Sequence, residues 1–248
     1  MKRILVLASI AVLALSLPAF ADKNGGSPII GGGTGVITTP TAYTIGQGGL
    51  DVGFYFITKS TMAASVGFGF IDKLDLSFGF ELDDDTGVDA DPFLHIRGKY
   101  RFSGENRGQD TWAFGLDVAL AMGDQASSLD NPSSPAFTMY IVNSFFLASF
   151  QFNWGVGYTF GYDDNINFMV GISKLIVPSF YIEADFSNYA NRYFTTGAGA
   201  HANIGRGVGN IAARLHLFEG VLRLTLGLFD AFDASREIGL GAALKLNF

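Results

Sequence analysis

The sequence predicts an all-β chain: a transmembrane, antiparallel, up-and-down β-barrel of about twelve strands. Three observations carry that prediction. The chain is 48% apolar with 24 Phe, 32 Gly and no Cys, yet past its first residues it holds no apolar run of about 18 that could make a membrane helix. From Leu50 to Phe248 it alternates, in segments of roughly the 9–11 residues that a tilted strand needs to cross a bilayer. The connections between these segments alternate between tight and long, as they do in barrels with short turns at one rim and longer loops at the other.

The first element is "MKRILVLASIAVLALSLPAFA". Lys2 and Arg3 precede an apolar run from Ile4 to Leu17, and Ala19-Phe20-Ala21 closes it. That is the pattern of a cleaved signal peptide over residues 1–21, leaving Asp22 as the new N-terminus. The run is short for a membrane span, and no Cys follows it for lipidation. Without Lys2 and Arg3, 14 basic residues face 23 acidic ones, a net charge of −9. That balance excludes nucleic acid as a partner class.

Residues 22–48 form a Gly-rich leader. "SPIIGGGTGVITTPTAYTIGQGG" is moderately apolar and would be costly free in water. It is read either as a small plug in the lumen or at its mouth, with Thr39, Pro40, Thr41 and Ala42 as plug residues, or as a flexible leader. No Lys-Ser/Thr follows its glycines, so it is no P-loop.

The barrel, residues 49–248, is expected from strands at 50–58, 62–71, 74–82, 93–102, 111–122, 136–145, 150–161, 166–174, 179–187, 210–218, 221–229 and 237–248. Fourteen strands result if the leader and 195–204 both pair. One parity is large and apolar: Leu74, Leu76, Phe78, Phe80 and Leu82, or Leu222, Leu224, Leu226 and Leu228. The other is polar, charged or glycine. A soluble sandwich has no use for charges packed so densely on one face, so the apolar parity is assigned to lipid and the polar one to the lumen.

"DK", "VPS" and "EG" are tight connections, whereas "DDDTGVDAD", "GDQASSLDNPSSP" and residues 188–209 are long. An even strand number puts both chain ends at the periplasmic side. The final segment, "EIGLGAALKLNF", must close against the first, because no strand edge can remain unpaired in lipid. Phe248 falls at the periplasmic aromatic girdle. A terminal Phe on an alternating last strand resembles the C-terminal assembly signal of bacterial outer-membrane proteins. The resemblance implies the barrel-insertion machinery and outer-membrane lipid as partners, and the outer membrane as location.

The lumen parity collects charge rows. Asp75 and Glu81 stand beside His95, Arg97, Lys99 and Arg101; Glu183 and Asp185 stand near Arg214, His216, Arg223 and Lys245. Two readings are open. The rows set a transverse field that selects ions in a water-filled pore, or paired charges brace a narrow lumen. Many lumen positions are Gly, among them Gly67, Gly115, Gly171 and Gly241, and curvature is the preferred explanation.

"TGVITTPTAYTIGQGGLDVG" is similar to the opening of outer-membrane barrels linked to exopolysaccharide export, at Gly35, Thr39, Pro40, Thr41, Ala42 and Gly49-Leu50. The match spans about 20 residues of much longer relatives. It implies an accessory part in polysaccharide export.

Chemistry is sparse. His95 and His216 sit on the lumen parity, outside any Ser-His arrangement. His201 lies in a long loop. No enzyme and no cofactor is expected. Asp83, Asp85, Asp89 and Asp91 surround Gly87 in a loop that could hold Ca²⁺, but the full calcium-loop pattern is absent, and a solvated acidic loop is preferred. The expected function is a narrow channel for ions or small solutes. The alternatives are a structural or adhesive surface barrel with a closed lumen, and the export accessory.

Overall fold

The computed structural model describes residues 27–28, 33–57, 61–83, 91–104, 110–121, 135–147, 150–160, 165–188, 207–232 and 237–248. Two short strands come first, β1 (Ser27–Pro28) and β2 (Thr34–Gly35). The wall follows: β3 (Gly49–Ile57), β4 (Thr61–Ile71), β5 (Leu74–Asp83), β6 (Asp91–Ser103), β7 (Thr111–Ala121) and β8 (Ala136–Leu147). It continues with β9 (Phe150–Phe160), β10 (Asn165–Val177), β11 (Phe180–Ser187), β12 (Val208–Leu217), β13 (Leu222–Phe229) and β14 (Glu237–Asn247).

Strands β3 to β14 close into one barrel in which each pairs antiparallel with its sequence neighbours. β14 seals the ring against β3, with Leu246 opposite Leu50 and Gly239 opposite Ile57. Closure gives both outer strands a partner, which lipid demands because it offers no hydrogen bonds to a free edge. The fold is therefore the all-β, up-and-down barrel of twelve strands. β1 and β2 pair with each other and not with the ring, so among the described residues the leader adds no wall strand. Residues 195–204 lie outside the described residues, as does the segment 1–21.

Strand ends differ from expectation by a few residues. β10 runs on to Val177, and its register slips between Leu175 and Val177. Similar slips occur between Gly69 and Ile71 and between Arg101 and Ser103. All three lie beside a connection at the same rim, where a bulge can bend the strand into its turn. β12 stops at Leu217 rather than Phe218, because Phe218 and Glu219 take left-handed φ values of 51° and 59° in a single 3-10 turn. That rim also carries the connections 72–73 and 178–179, the strand ends Ser103, Thr111, Leu147 and Phe150, and Gly48 and Phe248. The other rim carries the strand ends Ile57, Thr61, Asp83, Asp91, Ala121, Ala136, Phe160, Asn165, Ser187, Val208, Phe229 and Glu237. Two of the sequence stretches between these ends, 58–60 and 161–164, are short, so the length asymmetry is not uniform.

Side chains follow the period of two. On β3, Val52, Phe54 and Phe56 are exposed, while Asp51, Tyr55 and Ile57 are buried. On β13, Leu224 and Leu226 are exposed, while Arg223 and Thr225 are buried. Apolar side chains outside and charges inside invert the soluble pattern, as expected where lipid is the outer solvent. Near the short-turn rim Trp112 and Trp154 meet edge to face at 5.4 Å, and the Trp154 Nε1–H donates to Asn143 Oδ1 at 3.1 Å. An amphipathic ring suits such an interface.

Depth on the outer face should be measurable. Leu226 lies mid-strand on β13, 53% exposed. Leu226→Arg is expected to destabilise the refolded barrel by about 2–4 kcal/mol, whereas Phe218→Arg at the rim is expected to cost about 0–1 kcal/mol. Urea titration in lipid vesicles, followed by tryptophan fluorescence, reads both. Equal costs would contradict the assigned membrane depth.

Candidate functional site

Residues 33–48 run through the barrel interior as a hairpin, entering from the short-turn rim. Its two arms are tied by the Thr41 N–H to the Thr34 carbonyl at 3.1 Å and by a bridge between Gly35 and Pro40. Val36–Thr39 form the tip, with the Val36 N–H donating to the Thr39 carbonyl at 3.0 Å. Val36, Ile37, Thr39, Thr41, Ala42, Tyr43 and Ile45 are all buried. A hairpin inside a barrel cannot join the wall ladder, so its backbone must find side-chain partners.

Those partners come from opposite sides of the ring. On β11, Asp185 Oδ2 accepts from the N–H groups of Ile37 (3.3 Å), Thr38 (2.6 Å) and Thr39 (2.8 Å), and from Thr38 Oγ1 at 3.1 Å. Successive N–H groups converging on one anion form a backbone nest. Asn210 Nδ2 on β12 donates to Asp185 Oδ1 at 2.8 Å and to Thr38 Oγ1 at 3.1 Å. Arg214 Nη2 donates to the Val36 carbonyl at 2.5 Å. Across the bore, Lys99 Nζ on β6 donates to the Thr34 carbonyl at 3.2 Å and to the Thr34 hydroxyl. Asp75 Oδ2 accepts from the Ile45 N–H at 3.2 Å, and Ser144 Oγ from the Ala42 N–H at 2.8 Å. At the rim Thr44 Oγ1 donates to the Asp72 carbonyl at 2.6 Å.

The wall charges are paired mostly between neighbouring strands. Arg97 Nε meets Asp117 Oδ2 at 2.8 Å, and Lys99 Nζ lies 3.9 Å from Asp75 Oδ2. Arg214 grips Glu183 twice, Nη1 to Oε1 and Nη2 to Oε2, both at 3.1 Å, while its Nε–H donates to Thr225. His95 lies 3.2 Å from Glu81 through Nε2 and 3.5 Å from Asp117 through Nδ1. Lys245 stands in register opposite Asp51. Burial makes such pairing obligatory, since an uncompensated ion in this setting is costly.

The expected lumen residues Asp75, Glu81, His95, Arg97, Lys99, Arg101, Glu183, Asp185, Arg214, Arg223 and Lys245 are all buried on the inner parity. His216 shares that parity nearer the rim, half-buried with its ring 4.5 Å from that of Tyr181. Arg101 is drawn to the turns, donating to the carbonyls of Gly104 and Asp72. Both signs of charge occur on each side of the ring, so the described ion pairs run along the wall.

Thr39, Pro40, Thr41 and Ala42 form the tip and return arm of the hairpin. Phe248 is 88% exposed, its N–H donating to the Gly48 carbonyl at 3.3 Å. Asp83 and Asp91 are opposed at the ends of β5 and β6, whereas Asp85, Asp89 and His201 lie outside the described residues. No group of three metal-ligating side chains occurs among the described residues.

Two inward acids escaped the sequence reading, Asp51 and Asp117, although each lies on the parity opposite the lipid-facing residues of its segment. The glycines have a further role that curvature does not cover. A Cβ at Gly67 would stand 2.7 Å from Ile45 Cδ1, and one at Gly171 would stand 2.9 Å from Val36 Cγ2. The wall is recessed where the hairpin's apolar side chains press, a use of glycine for close approach.

No family model and no curated protein matches the chain. Its fold recurs in solved structures. The KdgM porin in complex with disordered oligogalacturonate aligns with a TM-score of 0.55 at 8% identity, and the KdgM porin without that description at 0.54 and 9%. Each alignment covers 81% of this chain and 99% of the KdgM chain. Outer membrane protein Omp33 of Acinetobacter baumannii aligns at 0.46 and 9% identity, over 81% of this chain and 100% of its own. The KdgM likeness shows the fold: a closed barrel of the kind found in outer-membrane porins.

Removing one member of the Arg214–Glu183 pair should reveal its weight. Arg214→Met strands the Glu183 carboxylate and is expected to cost roughly 3–5 kcal/mol. The double change Arg214→Met with Glu183→Met is expected to cost less than Arg214→Met alone, because neither ion of the pair is left without the other. Unfolding free energies in vesicles test the order; a double variant weaker than the single would contradict it.

Proposed function

We propose that this chain is a narrow outer-membrane channel for ions or small solutes, closed at rest by its N-terminal hairpin. The observation that supports it best is the hairpin itself. Residues 33–48 occupy the bore, yet the described wall strands close into a ring without them. Twelve strands enclose more room than an eight-stranded barrel, whose interior side chains can fill, and less than an open sixteen-stranded porin. The KdgM porins, with the same barrel fold, support a channel at that general level. No reaction is assigned to the chain.

The dense pairing of wall charges favours a second reading, a braced structural barrel that never opens. The likeness to export-associated barrels supplies a third. Its matching residues Thr39–Ala42 fall in the hairpin, so an export role would act through the same segment. Loss of surface polysaccharide in a strain lacking the chain would be its test.

Planar-bilayer recording separates the first two. The full chain is expected to be silent or to open rarely. A variant lacking residues 33–47 is expected to give stable unitary steps. If both stay silent after correct insertion, the channel is refuted and the structural barrel remains.

A further inference from the structure

Among the described residues the inner wall is compensated pair by pair, with one exception. Six strand carboxylates are buried on the inner face among the described residues: Asp51, Asp75, Glu81, Asp117, Glu183 and Asp185. Asp51 faces Lys245 in register, and Asp75 and Asp117 have Lys99 and Arg97. Glu81 has His95, and Glu183 has both terminal guanidinium nitrogens, Nη1 and Nη2, of Arg214. Asp185 faces Gly171 on one side and Asn210 on the other. Its compensation is the hairpin tip: three N–H groups and one hydroxyl on Oδ2, with the Asn210 amide on Oδ1.

Withdrawal of the hairpin therefore acts unequally. Lys99 loses Thr34 and keeps Asp75. Arg214 loses the Val36 carbonyl and keeps Glu183 and Thr225. Among the described residues, Asp185 alone of the six loses most of its partners and keeps the neutral Asn210 amide. A carboxylate so exposed in a narrow bore attracts whatever cation enters.

We propose that Asp185 is the selectivity residue of the open channel and makes it prefer cations, including small solutes that carry an ammonium group. The site binds the hairpin's N–H groups in the closed state and a cation's charge or N–H donors in the open one. The tip is thus an internal competitor for the permeating species. This inference rests on the channel reading.

The test uses the full-length chain in planar bilayers under a salt gradient, reading reversal potentials. Thr38→Pro deletes the N–H that makes the 2.6 Å contact, together with the hydroxyl. It is expected to raise opening frequency and to leave a potassium-over-chloride preference intact. Asp185→Asn, alone or with Thr38→Pro, is expected to lower that permeability ratio about fivefold, the factor that about 1 kcal/mol for a unit charge at 4 Å in water provides.

A second variant guards against failure to fold. The chain has no Cys, so Asp185→Cys can be modified during openings. An anionic thiol reagent is expected to restore the preference and a cationic one to reverse it. Current with an unchanged ratio in Asp185→Asn, or indifference of Asp185→Cys to the sign of the reagent, overturns the assignment while the channel stands. Silence from wild type and every variant after correct insertion removes the channel itself, and this inference with it.

Discussion

The pairing of β14 with β3 is the constraint on which everything else depends. A sheet in hydrocarbon cannot leave backbone donors and acceptors unpaired at an edge, so it must close. Once Leu246 stands opposite Leu50, the parity of every strand is tied to that of its neighbours around the ring. A slip of one residue would send Lys245 to lipid and Leu246 inside. The direction of each charge is thus a consequence of closure. So is the need for charge partners, because residues forced inside a narrow ring are withdrawn from bulk water.

Closure at twelve strands creates a second problem, which is filling. The inner parity is rich in glycine and short polar side chains, and such a wall leaves a bore. The hairpin 33–48 occupies it, and the wall is shaped to receive it. Ile45 presses on Gly67, and Val36 on Gly171. Elsewhere the wall fills itself: Tyr140 leans over Gly115, and Tyr55 over Gly241. Large residues on one strand lie against glycine on the next, which is close packing achieved across the register.

Much of this architecture is legible in the sequence, because a period of two is a strong signal when one solvent is lipid. The alternation Leu222, Leu224, Leu226 against Arg223, Thr225 reads directly as outside against inside. The leader's apolar content points towards a plug, but the sequence leaves a flexible leader equally open. What the sequence leaves hidden depends on register and on contacts distant in the chain. Nothing near Gly67 indicates that Ile45 will meet it. Nothing near Asp185 indicates that the N–H groups of residues 37–39 will converge on it, from a separation of 146 to 148 positions. The sequence leaves open whether the charge rows set a field or brace the lumen in pairs; the partners of the described pairs are read only from the ladders. Asp117 shows the opposite failing. Its parity is readable, but it sits among apolar neighbours in "WAFGLDVALA", and its pairing with Arg97 and His95 is what gives it a role.

The hairpin's attachments are of two kinds, and they have different consequences. Val36 and Ile37 join Tyr55, Ile57, Ala63, Ala212 and Phe229 in one apolar cluster, and Ala42 joins Ala113, Tyr140, Val142 and Met169 in another. These contacts hold the hairpin in the bore, because withdrawal would expose apolar surface on both partners. The polar contacts act otherwise. A hydrogen bond from Asp185, Lys99 or Ser144 to the hairpin backbone can be exchanged for one to water, so its net contribution is modest. Its geometry, by contrast, is strict. A hairpin shifted by one residue along its axis would misplace three N–H groups from Asp185 and would take Ile45 and Val36 off the recesses at Gly67 and Gly171. The apolar clusters thus favour occupancy of the bore, and the polar contacts together with the glycine recesses fix the register in which it is occupied. A segment held in this way is secure without being fused to the wall. In the proposed open state the lumen would be polar and hydrated, and Asp185 is the described strand carboxylate whose surroundings would change most.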